Sequence, residues 1–141
     1  MSELWYTTEL RREQKRGICN ERLATMEITR FNEAQRYDAP KHFDMRSLRL
    51  QGFDASSSKF AWTGLSHFLP GGGAEMDASP LEKIYVVLEG EISIELDTGE
   101  NQTLSRLDSC YLSGGEGRAI KNNGNDVATM LVVMPYPNSQ A

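Results

Sequence analysis

The chain has 141 residues, a formal net charge of −5 at neutral pH and 39% hydrophobic residues, which fits one domain with a modest core. The acidic balance argues against nucleic acid or an anionic membrane surface as a partner. No apolar run approaches the roughly 20 residues of a membrane-spanning helix, and the N-terminus lacks the apolar core of a secretory signal. The two cysteines are too few for a disulfide framework, so we expect reduced thiols in a cytoplasmic protein.

The first 25 residues differ in composition from the rest of the chain. They are rich in Arg, Lys and Glu, and their few apolar residues are scattered. A short amphipathic helix is expected from about Thr8 to Lys15, after which Met26 begins a stretch typical of an ordinary protein start. We therefore expect residues 1–25 to be a weakly packed or disordered extension and residues 26–141 to be a single domain. An arm that packs on a partner subunit is the alternative for the extension.

From Met45 onward, short strand-like segments alternate with turn residues. RSLRLQG alternates apolar and polar residues up to Gly52, and KFAWTGLSHFL is a longer segment that ends at Pro70. Pro70 and the three glycines after it predict a loop or bulge that does not continue the strand. The later segments are the two halves of PLEKIYVVLEGEISIEL, then QTLSRL, SCYLS, RAIKN and VATMLVVM. About eight regularly spaced strands with little helix indicate an all-β sandwich or barrel.

The segment from Pro80 to Leu96 predicts two strands that meet at a tight corner at Gly90. It resembles the first motif of the cupin family, in which two histidines and a glutamate precede such a glycine. Counting back from Gly90 places Lys83 at the position of the family's metal-binding glutamate. The same count places Asp77 and Ser79 at the positions of the two histidines.

A later segment resembles the second cupin motif. Gly115 matches a motif glycine, Asn122 matches the motif asparagine, and Arg118 stands at the position of the metal-binding histidine. The strand spacing extends the resemblance over residues 58–134. It implies a cupin-like antiparallel β-barrel, also called a double-stranded β-helix or jelly roll, in which the usual metal ligands are replaced.

The residues at the four ligand positions argue against a metal. Neutral imidazoles and carboxylates bind divalent ions because they offer a lone pair without a positive charge. Lys83 has no lone pair while it is protonated, Arg118 stays charged, and Ser79 is a poor ligand for a transition metal. Only Asp77 could coordinate an ion. We therefore expect neither a metal nor another cofactor.

The facing of Lys83 depends on the register of its strand. A shift of one residue would turn Glu82 into the barrel in its place. Because Gly90 fixes the corner, we expect Lys83 and Tyr85 inside the barrel and Glu82 outside, with Glu82 inside as the alternative.

Two side chains are candidates for proton transfer, Tyr85 and His67. The alternative for His67 is a half-buried histidine that is hydrogen-bonded to a neighbour. Phe60, Trp62 and Phe68 share one parity in a predicted strand, which favours a core or a dimer face. Trp62 in a ligand pocket is the alternative.

A pocket with Asp77, Ser79, Lys83 and Arg118 would be polar and locally cationic. Asp77 is expected to pair with one of the two cations, which leaves the other for an anion. The leading hypothesis is a small-molecule-binding cupin without a metal, in which Arg118 grips a carboxylate or enolate-like metabolite. Such a pocket would suit a cofactor-independent isomerase, lyase or hydrolase.

Two other functions stay open, so the sequence leaves undecided whether the protein is an enzyme. One is a non-enzymatic module that senses a ligand or assembles with a partner. The other is a metal-dependent, dioxygenase-type cupin with a non-standard ligand set. Because many cupins dimerise, a homodimer is also expected, in which RSLRLQG adds to the sheet of the partner.

Overall fold

The computed structural model describes residues 26–137 of the chain, so the helix expected at Thr8–Lys15 lies outside the described residues. Nine antiparallel strands form a nearly closed barrel, which confirms the predicted all-β fold. The only helical element among the described residues is a 3₁₀ turn at Phe31–Glu33. No helix in this part of the chain has the length and apolar character needed to cross a membrane. The strands are β1 (Gln35–Tyr37), β2 (His42–Gln51), β3 (Trp62–Ala78), β4 (Lys83–Glu89), β5 (Ile92–Leu96), β6 (Asn101–Leu104), β7 (Ser109–Leu112), β8 (Gly117–Lys121) and β9 (Ala128–Met134).

The long strand β3 joins the two sides of the barrel. Its first half pairs with β9 from Trp62 to Phe68, and its second half pairs with β8 from Gly73 to Ala78. The spatial order of hydrogen-bonded neighbours is β6-β5-β8-β3-β9-β4-β7. In addition, β2 pairs with β3, and β1 pairs with β2. A long strand that is shared in this way brings residues from both of its halves to one interior.

The proline and glycines in the middle of β3 do not end the strand, so the expected loop is wrong and the expected bulge is confirmed. The pairing of β3 with β2 shifts register between Phe68 and Gly73. A Cβ atom on Gly73 would overlap the carbonyl oxygen of Ile120, so the close approach of β3 to β8 requires glycine here.

Strand β2 is longer than the predicted RSLRLQG segment and is flanked on both sides. β1 pairs with it through Tyr37↔Ser47 and Gln35↔Arg49, while β3 covers its other edge. The expectation that this segment adds to the sheet of a partner is therefore wrong for residues 47–49, whose edges are already paired.

The core fills the space between the two sides of the barrel. Its largest fully buried apolar side chains are Phe68, Val87, Ile92, Ile120 and Met130. The predicted corner is confirmed between β4 and β5, where Gly90 has a φ of +75° and packs against the backbone of Ala128. This corner sets which side chains of β4 face inward.

Candidate functional site

A cavity of about 330 Å³ lies inside the barrel, between the β1–β2 connection and strands β3, β4, β8 and β9. All but one of the predicted site residues line this cavity, and the exception is His67. Those that do are Asp77, Ser79, Lys83, Tyr85 and Arg118.

The predicted register of β4 is confirmed by the burial of its side chains. Lys83 is 4% exposed and Tyr85 is buried beside it, both facing the cavity. Glu82 is exposed on the other face, where its carboxylate accepts a hydrogen bond of 2.9 Å from the hydroxyl of Tyr111. The alternation follows from the corner at Gly90.

Arg118 and Tyr85 form a hydrogen-bonded pair at the wall of the cavity. The Nε of Arg118 donates to the Tyr85 hydroxyl oxygen at 2.9 Å, and its Nη1 donates to the carbonyl oxygen of Glu75 at 3.4 Å. Burial raises the pKa of Tyr85 despite the nearby guanidinium, so the phenol keeps its hydrogen at neutral pH. Because Arg118 can only donate, the hydrogen of the Tyr85 hydroxyl is free to be donated to a ligand.

The carboxylate of Asp77 pairs with Lys41, so the expectation that it neutralises Lys83 or Arg118 is wrong. The Lys41 Nζ lies 3.2 Å from the Asp77 Oδ1. A positive φ of 63° at Lys41 turns the β1–β2 connection over β3, where the Lys41 carbonyl accepts from the backbone of Glu75. The hydrogen bond from Lys41 lowers the pKa of Asp77, which keeps this carboxylate ionised.

Lys83 is a buried cation without an ionic partner. Within residues 26–137, no carboxylate lies at ion-pair distance from Lys83 or Arg118, and the Lys83 ammonium makes no hydrogen bond. Burial lowers the pKa of Lys83, and the charge of Arg118 lowers it further, while Asp77 and Glu116 oppose both effects. The site therefore holds two buried cations that an anion would stabilise.

Ser79 has a local structural contact at the edge of the cavity. Its hydroxyl oxygen accepts a hydrogen bond of 3.0 Å from the backbone N–H of Leu81. The hydroxyl hydrogen remains available to a ligand, since this contact uses only the oxygen.

His67 lies on the face of β3 that points away from the cavity. Its Nδ1 lies 3.1 Å from the hydroxyl of Thr129, and its ring meets the edge of Phe31 at 5.7 Å. Ser66 lines the cavity instead, because neighbouring strand residues face opposite sides. His67 is thus a half-buried histidine that is hydrogen-bonded to a neighbour, which was the alternative interpretation. We assign it no proton transfer in this cavity.

His42 lines the cavity and was not among the predicted site residues. Its Nδ1 lies 2.8 Å from the carbonyl oxygen of Pro40, and its ring stacks on Phe68 with centroids 6.4 Å apart. The pairing of His42 with Ala74 brings β2 to this place. No local sequence signal marks the position, because the pairing joins distant parts of the chain.

An arginine held by aromatic rings forms another part of the lining. The guanidinium carbon of Arg49 lies 3.8 Å from the ring centroid of Tyr37, 4.3 Å from that of Phe53 and 4.7 Å from that of Trp62. Trp62 thus lines the cavity, as the alternative interpretation predicted. Phe60 precedes β3 and is 86% exposed.

The residues of the cavity do not fit the divalent metal that the cupin resemblance implies. Two of the four corresponding positions carry buried cations, and the one carboxylate among them, Asp77, is engaged by Lys41. No group of three or more His, Cys, Asp or Glu side chains placed to hold a metal occurs between Met26 and Pro137. We therefore derive no chemistry through a metal.

A family model described as a cupin domain matches residues 64–134. The chain belongs to the cupin family. A Mycobacterium tuberculosis protein named beta-D-galactosidase Rv1717 is 41% identical to this cupin over 112 residues, which cover 79% of this chain and 96% of that protein.

Solved structures share the fold at lower identity. The polyketide cyclase RemF from Streptomyces resistomycificus superimposes with a TM-score of 0.70 at 17% identity, covering 79% of this cupin and 80% of the cyclase. An RmlC-like cupin from Shewanella frigidimarina gives a TM-score of 0.64 at 15% identity, with coverage of 82% and 95%. At these identities the likeness concerns the fold alone.

Proposed function

We propose that this cupin binds a small molecule that carries an acidic group, held between Arg118 and Lys83. The observation that carries the proposal is the pair of buried cations in one cavity without a carboxylate partner among residues 26–137. A buried charge without a partner costs free energy, and an anionic ligand would offset that cost. The pairing of Asp77 with Lys41 strengthens the argument, because this carboxylate already has a cationic partner at ion-pair distance.

The hydrogen-bond donors at the site suit a carboxylate or enolate oxygen. Arg118 uses Nε and Nη1 within the protein, and its Nη2 makes no hydrogen bond to residues 26–137. The Lys83 ammonium and the hydrogen of the Tyr85 hydroxyl supply further donors in the same cavity. Donors fixed in advance around an oxygen stabilise negative charge that develops on it.

Apolar side chains that also line the cavity fit the carbon skeleton of such a ligand. Trp62, Met130 and Val132 contribute this surface. A cavity of about 330 Å³ suits a metabolite-sized molecule, near the lower end of the usual range for ligand pockets.

Thermal shift measurements test the binding of an acid. Matched pairs such as lactate and lactamide, or pyruvate and pyruvamide, differ in the acidic group and little else. We expect the acids to raise the Tm and the amides to leave it unchanged. Both Arg118→Gln and Lys83→Met should weaken binding of the acid by roughly 10- to 100-fold, since each removes a charge-assisted contact.

The control variant for these measurements is Arg106→Gln, because Arg106 is exposed and pairs with Glu89 on the surface. It should bind as the wild type does. Unchanged binding in both cavity variants, or no shift with any acid of a broad panel, would contradict the proposal.

A second candidate function is glycoside hydrolysis, which the 41% identity to the protein named a beta-D-galactosidase favours. Two carboxyl groups, Asp38 and Asp77, line the cavity, and glycosidases commonly act through such a pair. Asp77, which Lys41 keeps ionised, suits the role of nucleophile or base.

Release of the aryl alcohol from an aryl β-D-galactoside tests this second candidate. Hydrolysis that is lost in both Asp38→Asn and Asp77→Asn, and kept in the exposed control Asp54→Asn, would support it. Absence of hydrolysis by the wild type, or hydrolysis that persists in both variants, would rule it out.

A further inference from the structure

The tautomer of His42 is fixed by its contact with the backbone. A carbonyl oxygen can only accept a hydrogen bond, so the Nδ1 that lies 2.8 Å from the Pro40 oxygen carries the hydrogen. In the neutral ring, the Nε2 then holds an unshared lone pair. The Pro40 contact is the side-chain hydrogen bond of His42 to residues 26–137, and it leaves the Nε2 without a partner among them. The Pro40 contact and the nearly parallel ring of Phe68, 6.4 Å away between centroids, orient the imidazole at the cavity wall.

The groups around His42 suit a base better than an acid. Burial lowers its pKa, and Arg118 of β8 lowers it further, while the Pro40 carbonyl and Asp77 of β3 oppose these effects. The flanking Lys41 is already paired with Asp77. The ring is therefore neutral at physiological pH, as a general base must be.

We propose that His42 is the general base of a proton-transfer reaction on the acid that Arg118 and Lys83 hold. This inference rests on the proposed function, because the acid must first bind. The Nε2 takes a proton from a carbon next to a carbonyl group of the substrate. The electron pair of that C–H bond forms a carbon–carbon double bond, and the carbonyl electrons move to its oxygen.

The enolate oxygen formed in this step is stabilised by the donors that line the same cavity as the base. The Tyr85 hydroxyl donates to it, and the charges of Arg118 and Lys83 oppose its negative charge. The imidazolium then returns the proton to the same carbon or to a neighbouring one. The step needs no oxidant, reductant or further reactant, and its reaction class is isomerisation or epimerisation of a 2-oxo acid or a related carbonyl acid.

Hydrogen–deuterium exchange tests the step without knowledge of the natural substrate. The wild-type protein is incubated in D₂O with pyruvate, 2-oxoglutarate or phenylpyruvate, and loss of the C3 protons is followed by ¹H NMR. We expect exchange at least about 100-fold faster than in buffer, the usual contribution of a positioned base. His42→Gln should lose this acceleration and keep its affinity for the acids.

The matched control is His67→Gln, since the chain has only two histidines and His67 lies outside the cavity. It should exchange as the wild type does. The rate should rise with pH through the lowered pKa of His42 and then level off, because only the neutral ring accepts a proton.

The outcomes separate this inference from the function on which it rests. If no acid binds, both fail together. Acids that bind without exchange above buffer, or exchange that survives in His42→Gln, overturn the role of His42 alone. Long-range ¹H–¹⁵N spectra give a readout that needs no turnover: the neutral ring should carry its hydrogen on Nδ1, and the Nε2–H form would overturn the inference.

Discussion

Arg118 and Asn122 lie four residues apart, in β8 and just after it, and both are buried polar side chains. Asn122 is 1% exposed and fully satisfied. Its amide donates to the carbonyl oxygens of Phe68 and Asp126, its side-chain oxygen accepts from the N–H of Gly124, and its backbone bonds Gly71 and Gly72. Arg118 leaves one terminal nitrogen without a partner among residues 26–137.

The difference separates a side chain that builds the fold from one that serves a ligand. Buried polar groups are nearly always hydrogen-bonded, so a closed set of bonds such as that of Asn122 indicates a structural role. Burial of the Lys83 charge costs stability in the free protein, and Arg118 keeps a donor available to a ligand. Proteins tolerate such costs mainly at functional sites.

Asn122→Ala should produce the largest loss of stability. The change removes three side-chain hydrogen bonds and leaves two carbonyl groups and one N–H in need of partners. We expect a decrease of about 3 kcal/mol in the free energy of unfolding, and a Tm lowered by more than about 10 °C. Urea denaturation measures the first quantity, and calorimetry measures the second.

The neighbour Asn123 provides the matched control for this change. Its exposed side chain makes a single hydrogen bond of 3.2 Å to the Ser93 hydroxyl. Asn123→Ala should cost less than about 0.5 kcal/mol. Equal losses of unfolding free energy in the two alanine variants would contradict a structural role for the buried hydrogen bonds of Asn122.

Tyr85→Phe should give the next largest effect. The change deletes the acceptor of the Arg118 Nε–H in a buried place. We expect a loss of about 2 kcal/mol in unfolding free energy, since hydrogen bonds to charged groups are stronger than neutral ones. Acid binding should weaken as well, because the variant lacks the Tyr85 donor. A variant as stable as the wild type would show that Arg118 finds another partner.

Lys83→Met should act in the opposite direction and stabilise the protein by about 1 kcal/mol. Methionine keeps most of the apolar stem and removes a buried cation that has no ionic partner in residues 26–137. The exposed Lys59→Met is the control and should leave the stability unchanged. Higher stability with lost acid binding would show that Lys83 is kept for function; a destabilised variant would argue for a structural role.

The sequence predicted which side chains face the cavity where a local motif, the corner at Gly90, marks the strand. Gly90 fixes a corner through its positive φ, and strict alternation from that corner places Lys83 and Tyr85 inward. The motif spacing likewise brought Asp77 and Arg118 to one wall. The inward facing of Tyr85 with Lys83 follows from short-range geometry, whereas the place of Asp77 and Arg118 was implied by the resemblance to the cupin motifs.

Long-range pairing determined what the sequence did not predict. The Lys41–Asp77 ion pair and the place of His42 both depend on how the β1–β2 connection folds over β3. The parity shared by Trp62 and Phe68 was compatible with a core or with a dimer face, so the pattern did not decide whether His67, on the opposite face, points into the cavity. The glycines in β3 signalled an irregularity without showing that the strand continues past it.

The pH dependence of stability gives the smallest and most specific test of the open site. Because the folded pKa of Lys83 lies below its ordinary value, the unfolded chain binds more protons in the window between the two pKa values. The contribution of Lys83 to unfolding free energy therefore rises with pH across this window. The raised pKa values of Cys110 and Tyr85 act oppositely in the alkaline range.

Comparison with Lys83→Met isolates the lysine from those groups, which both proteins share. The stability advantage of the variant should be greatest near neutral pH and should shrink as the pH rises toward the ordinary pKa of lysine. Urea denaturation of both proteins between pH 7 and about pH 10.5 measures this difference. A constant advantage would mean that Lys83 titrates normally, and hence that its ammonium is solvated in the free protein. A bound acid should also remove the dependence, because it stabilises the charged lysine at its site.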